Sequence, residues 1–278
     1  MRLATLALVV ASFLAGWLPG ADTGLAGAQP PHYLSLGDSL AASMQPDADG
    51  HDRPTSDGFS EHVWGASALV LPNLTLVKLG RGGETAASMI KSPRPGPSQL
   101  ELAEQHLRHG PVPLVTIDIG ANEVERCANG SGFDQACVQR GLASLRQSLP
   151  RIISRLRAAG GPHVKIVGVN YYNSFLGRWV TGAVGRRLAL ASIPVERSIN
   201  QTLAQIYKRA HVPVADVESS FQTQALDRYV ASRHGRVPLA VARTCRWTWA
   251  CSDRSDDHTN SLGYRVIART VLALLRSP

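Results

Sequence analysis

Residues 34–43 read "LSLGDSLAAS". An apolar, strand-like run ends there in Gly37-Asp38-Ser39. Glycine lets the backbone turn tightly, and a serine on such a turn can point its hydroxyl outward, which is one way to present a nucleophile. The same residues also suit an ordinary loop closed by an Asp or Ser helix cap. A serine hydroxyl is a poor nucleophile until a base takes its proton, and imidazole suits that task near neutral pH. Attack on a carbonyl then leaves an oxyanion that needs preorganised hydrogen-bond donors. The turn is chemical only if the fold brings a histidine and such donors to Ser39.

The elements that must do this positioning alternate along the chain. Tyr33–Leu36, Leu74–Leu79, Leu114–Ile119, Val164–Val169 and Val212–Val217 read as five short apolar strands. Between and after them, Phe59–Leu71, Gln99–Arg108, Asp134–Ala159, Ile193–Ala210 and Ser261–Leu275 read as helices. In the longest patterned segment Val138, Leu142, Leu145, Leu149, Ile152 and Leu156 step by four and three, the helical period. Asp134 is a cap candidate there, and Pro150 predicts a kink. Strand–helix alternation predicts an α/β fold, a parallel sheet of about five strands between two helical layers. Such sheets carry their working residues on loops at the carboxyl ends of the strands. The stretch "SPRPGPS", Ser92–Ser98, reads as a rigid loop rather than a domain linker.

Four short stretches fall at such loops. Ser39 follows the first strand; "KLGRGGETAASM", Lys78–Met89, the second; "DIGANEVERC", Asp118–Cys127, the third; and "SDDHTNSLGY", Ser255–Tyr264, leads into the last helix. Together they resemble the SGNH, or GDSL, family of serine hydrolases, whose markers are a Ser, a Gly, an Asn and a His in that order. Here these fall on Ser39, Gly83, Asn122 and His258, and the resemblance runs from residue 33 to 276. It implies a flavodoxin-like three-layer fold and an esterase or lipase activity without metal or cofactor. His258 is then the base and later the acid for the leaving alcohol. The Ser39 N–H, the Gly83 N–H and the Asn122 side-chain amide form the oxyanion hole. Gly82 is an alternative donor, Asn122 alternatively a helix cap, and His258 alternatively a surface histidine.

The family's acid usually lies three residues before the histidine, and that position is Ser255 here. Asp256 is the expected substitute, Asp253 and Asp257 are the alternatives, and a Ser–His dyad held by a backbone carbonyl stays open. Asp38 is expected to brace the turn rather than to serve the triad.

Bulk features bound the setting. Residues 1–28 combine Arg2, an apolar run from Leu3 to Leu18 and a closing Ala26-Gly27-Ala28, the signature of a secretory signal peptide. Residues 29–278 suffice for one domain and predict a secreted protein with no spanning segment after cleavage. The net charge of +8 comes mostly from arginines scattered along helices, without a dense basic block or a nucleic-acid motif. Secretion makes disulfides the expectation for the four cysteines, paired locally as Cys127–Cys137 and Cys245–Cys251; zinc is the competing reading, without supporting ligand spacing.

Residues 175–191 and the pair Trp247 and Trp249 could wall an apolar acyl pocket. The expected partner is a small-molecule or lipid ester, and the expected state a monomer. A carbohydrate O-deacetylase of the same fold and a non-catalytic envelope-binding protein are the rivals. The pairing of Ser39 with His258 argues against the second, since binding requires neither.

Overall fold

The structure, a computed structural model, describes residues 29–130 and 132–276. The signal-peptide reading of residues 1–28 lies outside the described residues. In chain order the elements are β1 (His32–Gly37), β2 (Met44–Pro46), β3 (Asp52–Pro54), α1 (Phe59–Ala68), β4 (Thr75–Lys78), α2 (Ala86–Ile90), α3 (Gln99–His109) and β5 (Leu114–Asp118). There follow β6 (Ala128–Asn129), β7 (Gly132–Phe133), α4 (Gln135–Gly160), β8 (Lys165–Val169), α5 (Ala183–Arg209), β9 (Val214–Ala215) and α6 (Val217–Phe221). The chain closes with β10 (Tyr229–Ser232), β11 (Gly235–Pro238), α7 (Leu239–Trp247) and α8 (Ser261–Leu275).

The central sheet has the order β4-β1-β5-β8-β9, with every pairing parallel. Its middle strand β5 is buried along its whole length, which is why Leu114–Asp118 reads as an apolar run rather than an alternation. From β1 the chain first moves to one edge, at β4, then crosses back to β5 and on to β8 and β9. Right-handed crossovers in opposite directions put α1 on one face and α3, α4 and α5 on the other; α8 packs against α1, and α4 against both α3 and α5. The reversal falls between β1 and β5. There the loops leaving the two strands diverge and open a crevice at the carboxyl end of the sheet. Ser39 and Asn122 are on those two loops.

The sequence-based elements differ from the structure at several ends. The fifth strand shrinks to Val214–Ala215. The helix expected from Ile193 begins at Ala183 and runs through Pro194, as α4 runs through Pro150. A proline inside a helix leaves the carbonyl four residues earlier without its N–H partner. Those carbonyls belong to Arg146 and Leu190, both exposed, where water can satisfy them. Three antiparallel hairpins, β2–β3, β6–β7 and β10–β11, were not expected. The cysteines pair as expected, Cys127 with Cys137 and Cys245 with Cys251. No helix among the described residues is long and apolar enough to cross a membrane.

Candidate active site

The turn after β1 is built for close approach. Gly37 has φ +145°, and a Cβ there would lie 1.8 Å from Asp118 Oδ1 on the neighbouring strand. No side chain fits, so glycine ends the strand and frees the next two residues to turn. Gln99 grips the turn from α3: its Oε1 accepts from the Gly37 N–H at 2.6 Å, and its Nε2 donates to the Gly37 carbonyl at 3.0 Å and to Glu84 at 3.2 Å. Asp38 braces it from within, accepting from the Leu40 N–H at 3.0 Å and the Tyr171 hydroxyl at 2.7 Å. Burial outweighs these bonds and pushes the Asp38 carboxyl up to about 6. Ser39 sits on this turn, partly exposed.

Beyond β5, Gly120 (φ +140°) turns the chain into the short helical turn Ala121–Glu123. The Asn122 Nδ2 donates to the Glu84 carbonyl at 3.0 Å, and the Glu123 carboxylate accepts from the Ala86 N–H at 2.7 Å. These two neighbours hold the loop that carries Gly83, itself in the left-handed region at φ +75°. The bond to Glu84 uses one of the two N–H bonds of Asn122. The backbone N–H groups of Ser39 and Gly83 donate to no described residue.

His258 arrives from the far end of the chain. The Trp249 N–H donates to its carbonyl at 2.9 Å, and a bridge joins Thr248 to Thr259. Asn260 caps α8 through bonds from the Leu262 and Gly263 N–H groups, while its own amide donates to the Arg246 carbonyl. The imidazole is largely buried, with Nδ1 3.0 Å from Asp256 Oδ1 and 3.2 Å from Oδ2. The same carboxylate accepts the His258 N–H at 2.9 Å. Ser255, at the usual acid position, is left-handed (φ +51°) and accepts from Arg178 at 2.8 Å, which leaves Asp256 next to the ring.

Two further carboxylates approach Nδ1, Asp52 at 3.5 Å and Asp257 at 3.6 Å. Asp52 comes from the β2–β3 hairpin. No sequence signal ties it to a histidine more than two hundred residues away. Burial pulls the imidazole down, but the hydrogen bond to Asp256 and the charges of Asp257, Asp256 and Asp52 outweigh it and raise His258 to about 9. Asp52, Asp256 and His258 place one potential ligand atom each within 4.8 Å of one another, a mixed carboxylate and imidazole set whose chemistry fits a borderline cation such as zinc rather than a hard one. Cys245 and Cys251 are joined to each other, which removes them as zinc thiolates.

Ser39, Asn122 and His258 line one small cavity of about 30 Å³, together with Asp38, Glu125, Tyr171 and Tyr172. His258 Nε2, the ring nitrogen opposite the carboxylates, makes no hydrogen bond with the described residues, so it is free to take a proton. Gly83 lies instead in an adjoining depression with Arg81, Glu84 and Ser88. Trp247 and Trp249 line a separate cleft of about 700 Å³, so they do not wall the cavity at Ser39. Of the segment 175–191, Leu176 packs with Val237, Ala240 and Val241 in a second small core, with Trp179 and Val180 against it. Glu125 and Tyr171, which sequence reasoning did not single out, both reach the cavity; Glu125 lay inside a quoted motif, whereas Tyr171 follows a strand with nothing local to mark it.

The family model for the GDSL-like lipase/acylhydrolase family matches residues 35–266. Among solved structures the fold is similar to a putative GDSL-like lipase from Parabacteroides merdae, at 12% identity and TM-score 0.56 over 88% of this chain and 95% of that one. It is similar also to an extracellular lipase from Streptomyces rimosus, at 16% identity and TM-score 0.54 over 87% and 99%. The esterase EstA from a Pseudoalteromonas species follows at 15% and 0.50 over 88% and 96%. No curated protein sequence matches. At these identities the likenesses speak for the fold, and the family match covers most of the sequence: the chain belongs to the GDSL-like lipase/acylhydrolase family.

Proposed function

We propose that the protein is a secreted serine esterase that hydrolyses carboxylic esters through an acyl-enzyme on Ser39. The observation that carries this reading is the convergence of Ser39, Asn122 and His258 on one cavity, with Asp256 on the far nitrogen of the ring. His258 Nε2 takes the Ser39 Oγ proton as the oxygen attacks the ester carbonyl. Negative charge then develops on the carbonyl oxygen, where the Ser39 N–H, the free N–H of Asn122 and the Gly83 N–H are the proposed donors. His258 returns the proton to the departing alcohol. Water attacks the acyl-enzyme by the same proton route and frees Ser39. Asp256 holds the ring in the tautomer that leaves Nε2 open and stabilises the imidazolium. Residues 29–278 act as one catalytic domain, and the two disulfides fit an oxidising compartment.

The polar lining of the cavity, with Asp38, Glu125 and Asp257 around Ser39, favours short acyl groups over long apolar chains, which keeps an O-deacetylase as a second reading. A panel of esters graded in acyl length, run beside acetylated glycans, tests both. We expect kcat/KM to be highest on acetyl to butyryl esters. A steady rise toward long chains would contradict the short-acyl reading, and absence of hydrolysis on every member would contradict the esterase reading.

A further inference from the structure

The carboxyl groups around the cavity are engaged by the protein, with one exception. Asp38 is held by Leu40 and Tyr171, Asp256 by His258, and Asp257 lies against the ring. Glu123, two residues before Glu125, is turned inward to the Ala86 N–H. Glu125 lines the cavity beside Ser39, Asn122 and His258, yet its carboxyl bonds to no described side chain or backbone group. Its backbone is fixed in the short helical turn Glu125–Cys127, which the Cys127–Cys137 disulfide anchors to α4. The side chain is half-buried, and an unpartnered carboxyl that lines the same cavity as a reactive serine is open to a ligand there.

The chemistry of that ligand follows from the state of the group. Burial, with the charges of Asp257 and Asp38 added, pushes Glu125 up to about 8, against a smaller opposing pull from His258. In its protonated form the group offers one O–H donor and one carbonyl acceptor. An alkyl chain would leave both unsatisfied, whereas a hydroxyl, itself donor and acceptor, matches both. The cavity of about 30 Å³ has room for roughly two water molecules, the scale of a hydroxyl or hydroxymethyl group.

We propose, resting on the Ser39 esterase reading, that Glu125 hydrogen-bonds a substrate hydroxyl flanking the scissile ester and so selects hydroxylated esters over plain alkyl esters. The class comprises partial esters of polyols and esters of hydroxy acids. Which side of the ester carries the hydroxyl is decided by experiment.

Two matched pairs serve as probes: p-nitrophenyl 3-hydroxybutyrate against p-nitrophenyl butyrate, and glycerol monobutyrate against propyl butyrate. The wild-type protein should prefer the hydroxylated member of at least one pair by roughly tenfold or more in kcat/KM, as sites built around a hydroxyl do. Glu125→Gln, which keeps one donor and one acceptor, should retain most of that preference. Glu125→Leu should bring the ratio close to one, chiefly through KM on the hydroxylated substrate. Fluorophosphonate labelling of Ser39 in each variant reports that the site is intact.

Absence of preference in the wild type, or a preference that survives in a labelled Glu125→Leu protein, would overturn the proposal while leaving the esterase reading standing. So would an equal loss on all four substrates. A wild-type protein that neither labels nor hydrolyses any of the four would overturn both.

Discussion

Two hollows in this molecule invite opposite readings. The cleft of about 700 Å³ is walled by the β10–β11 hairpin, α7 and the Cys245–Cys251 loop, with Arg233, Arg243, Arg246, Trp247 and Trp249 on its surface. The cavity at Ser39 has less than a twentieth of that volume. Yet the cleft is built from one local stretch, residues 230–260, and its arginines mostly serve the fold. Arg233 donates to the Cys251 carbonyl, and Arg243 stacks on Trp247. The small cavity gathers side chains from four separate parts of the chain, among them a Ser39 hydroxyl and a His258 Nε2 that bond to no described residue. Size marks where a chain left room; convergence of unspent chemical groups marks where a reaction can run.

That contrast can be broken by substitution on either side. Asp256→Asn should cost most after loss of the nucleophile itself, with a fall in kcat approaching about 10⁴-fold, because the amide favours the wrong imidazole tautomer. Retained activity would mean that Asp52 or Asp257 takes over, since both stand within reach of Nδ1. Asn122→Ala removes one oxyanion donor and should lower kcat by about 100- to 1000-fold with little change in KM. It also frees the Glu84 carbonyl, so thermal unfolding should be measured alongside to separate a loosened loop from a lost donor.

A subtler test sharpens the comparison through pH. The base must be neutral to accept the Ser39 proton, and His258 is raised to about 9, so kcat/KM should climb with pH up to that region and level above it. Asp52→Asn deletes one of the negative charges that hold the proton on the ring. The rising limb should then move to lower pH, by about half a unit to one unit given that Asp52 is partly solvent-screened. A limb that stays in place would detach Asp52 from the histidine. Least affected should be a cleft variant: Arg246→Ala should change kcat/KM on short esters by less than about twofold. A larger loss would make the cleft part of the substrate path.

Much of the cavity was legible because its residues follow strands. Tyr33–Leu36 and Leu114–Ile119 announce themselves as apolar runs, and Ser39 and Asn122 lie three residues beyond them. His258 was legible through its place in the stretch Ser255–Tyr264 that leads into the last helix, the fourth marker of the family resemblance; Asn260, which caps that helix, carried no signal of its own. Asp52 was not, since a three-residue hairpin strand has too few positions to show a period, and only the fold carries it to the imidazole. The early start of α5 was hidden by Pro194, which reads as a helix beginning but is tolerated inside one where the freed carbonyl meets solvent. The roles assigned to Trp247 and Trp249 failed for another reason. Nearness in sequence to His258 put them beside the loop, while the strand-like bridge at Thr248 and Thr259 turned them toward the cleft.

The central claim is that Ser39, and no other serine, becomes covalently acylated in the small cavity. Treatment with a fluorophosphonate followed by peptide mass mapping tests it most directly. The account predicts a single adduct on the peptide carrying Ser39, absent from a folded Ser39→Ala protein that has also lost ester hydrolysis. An adduct on a different serine, or full hydrolysis by the Ser39→Ala protein, would contradict it.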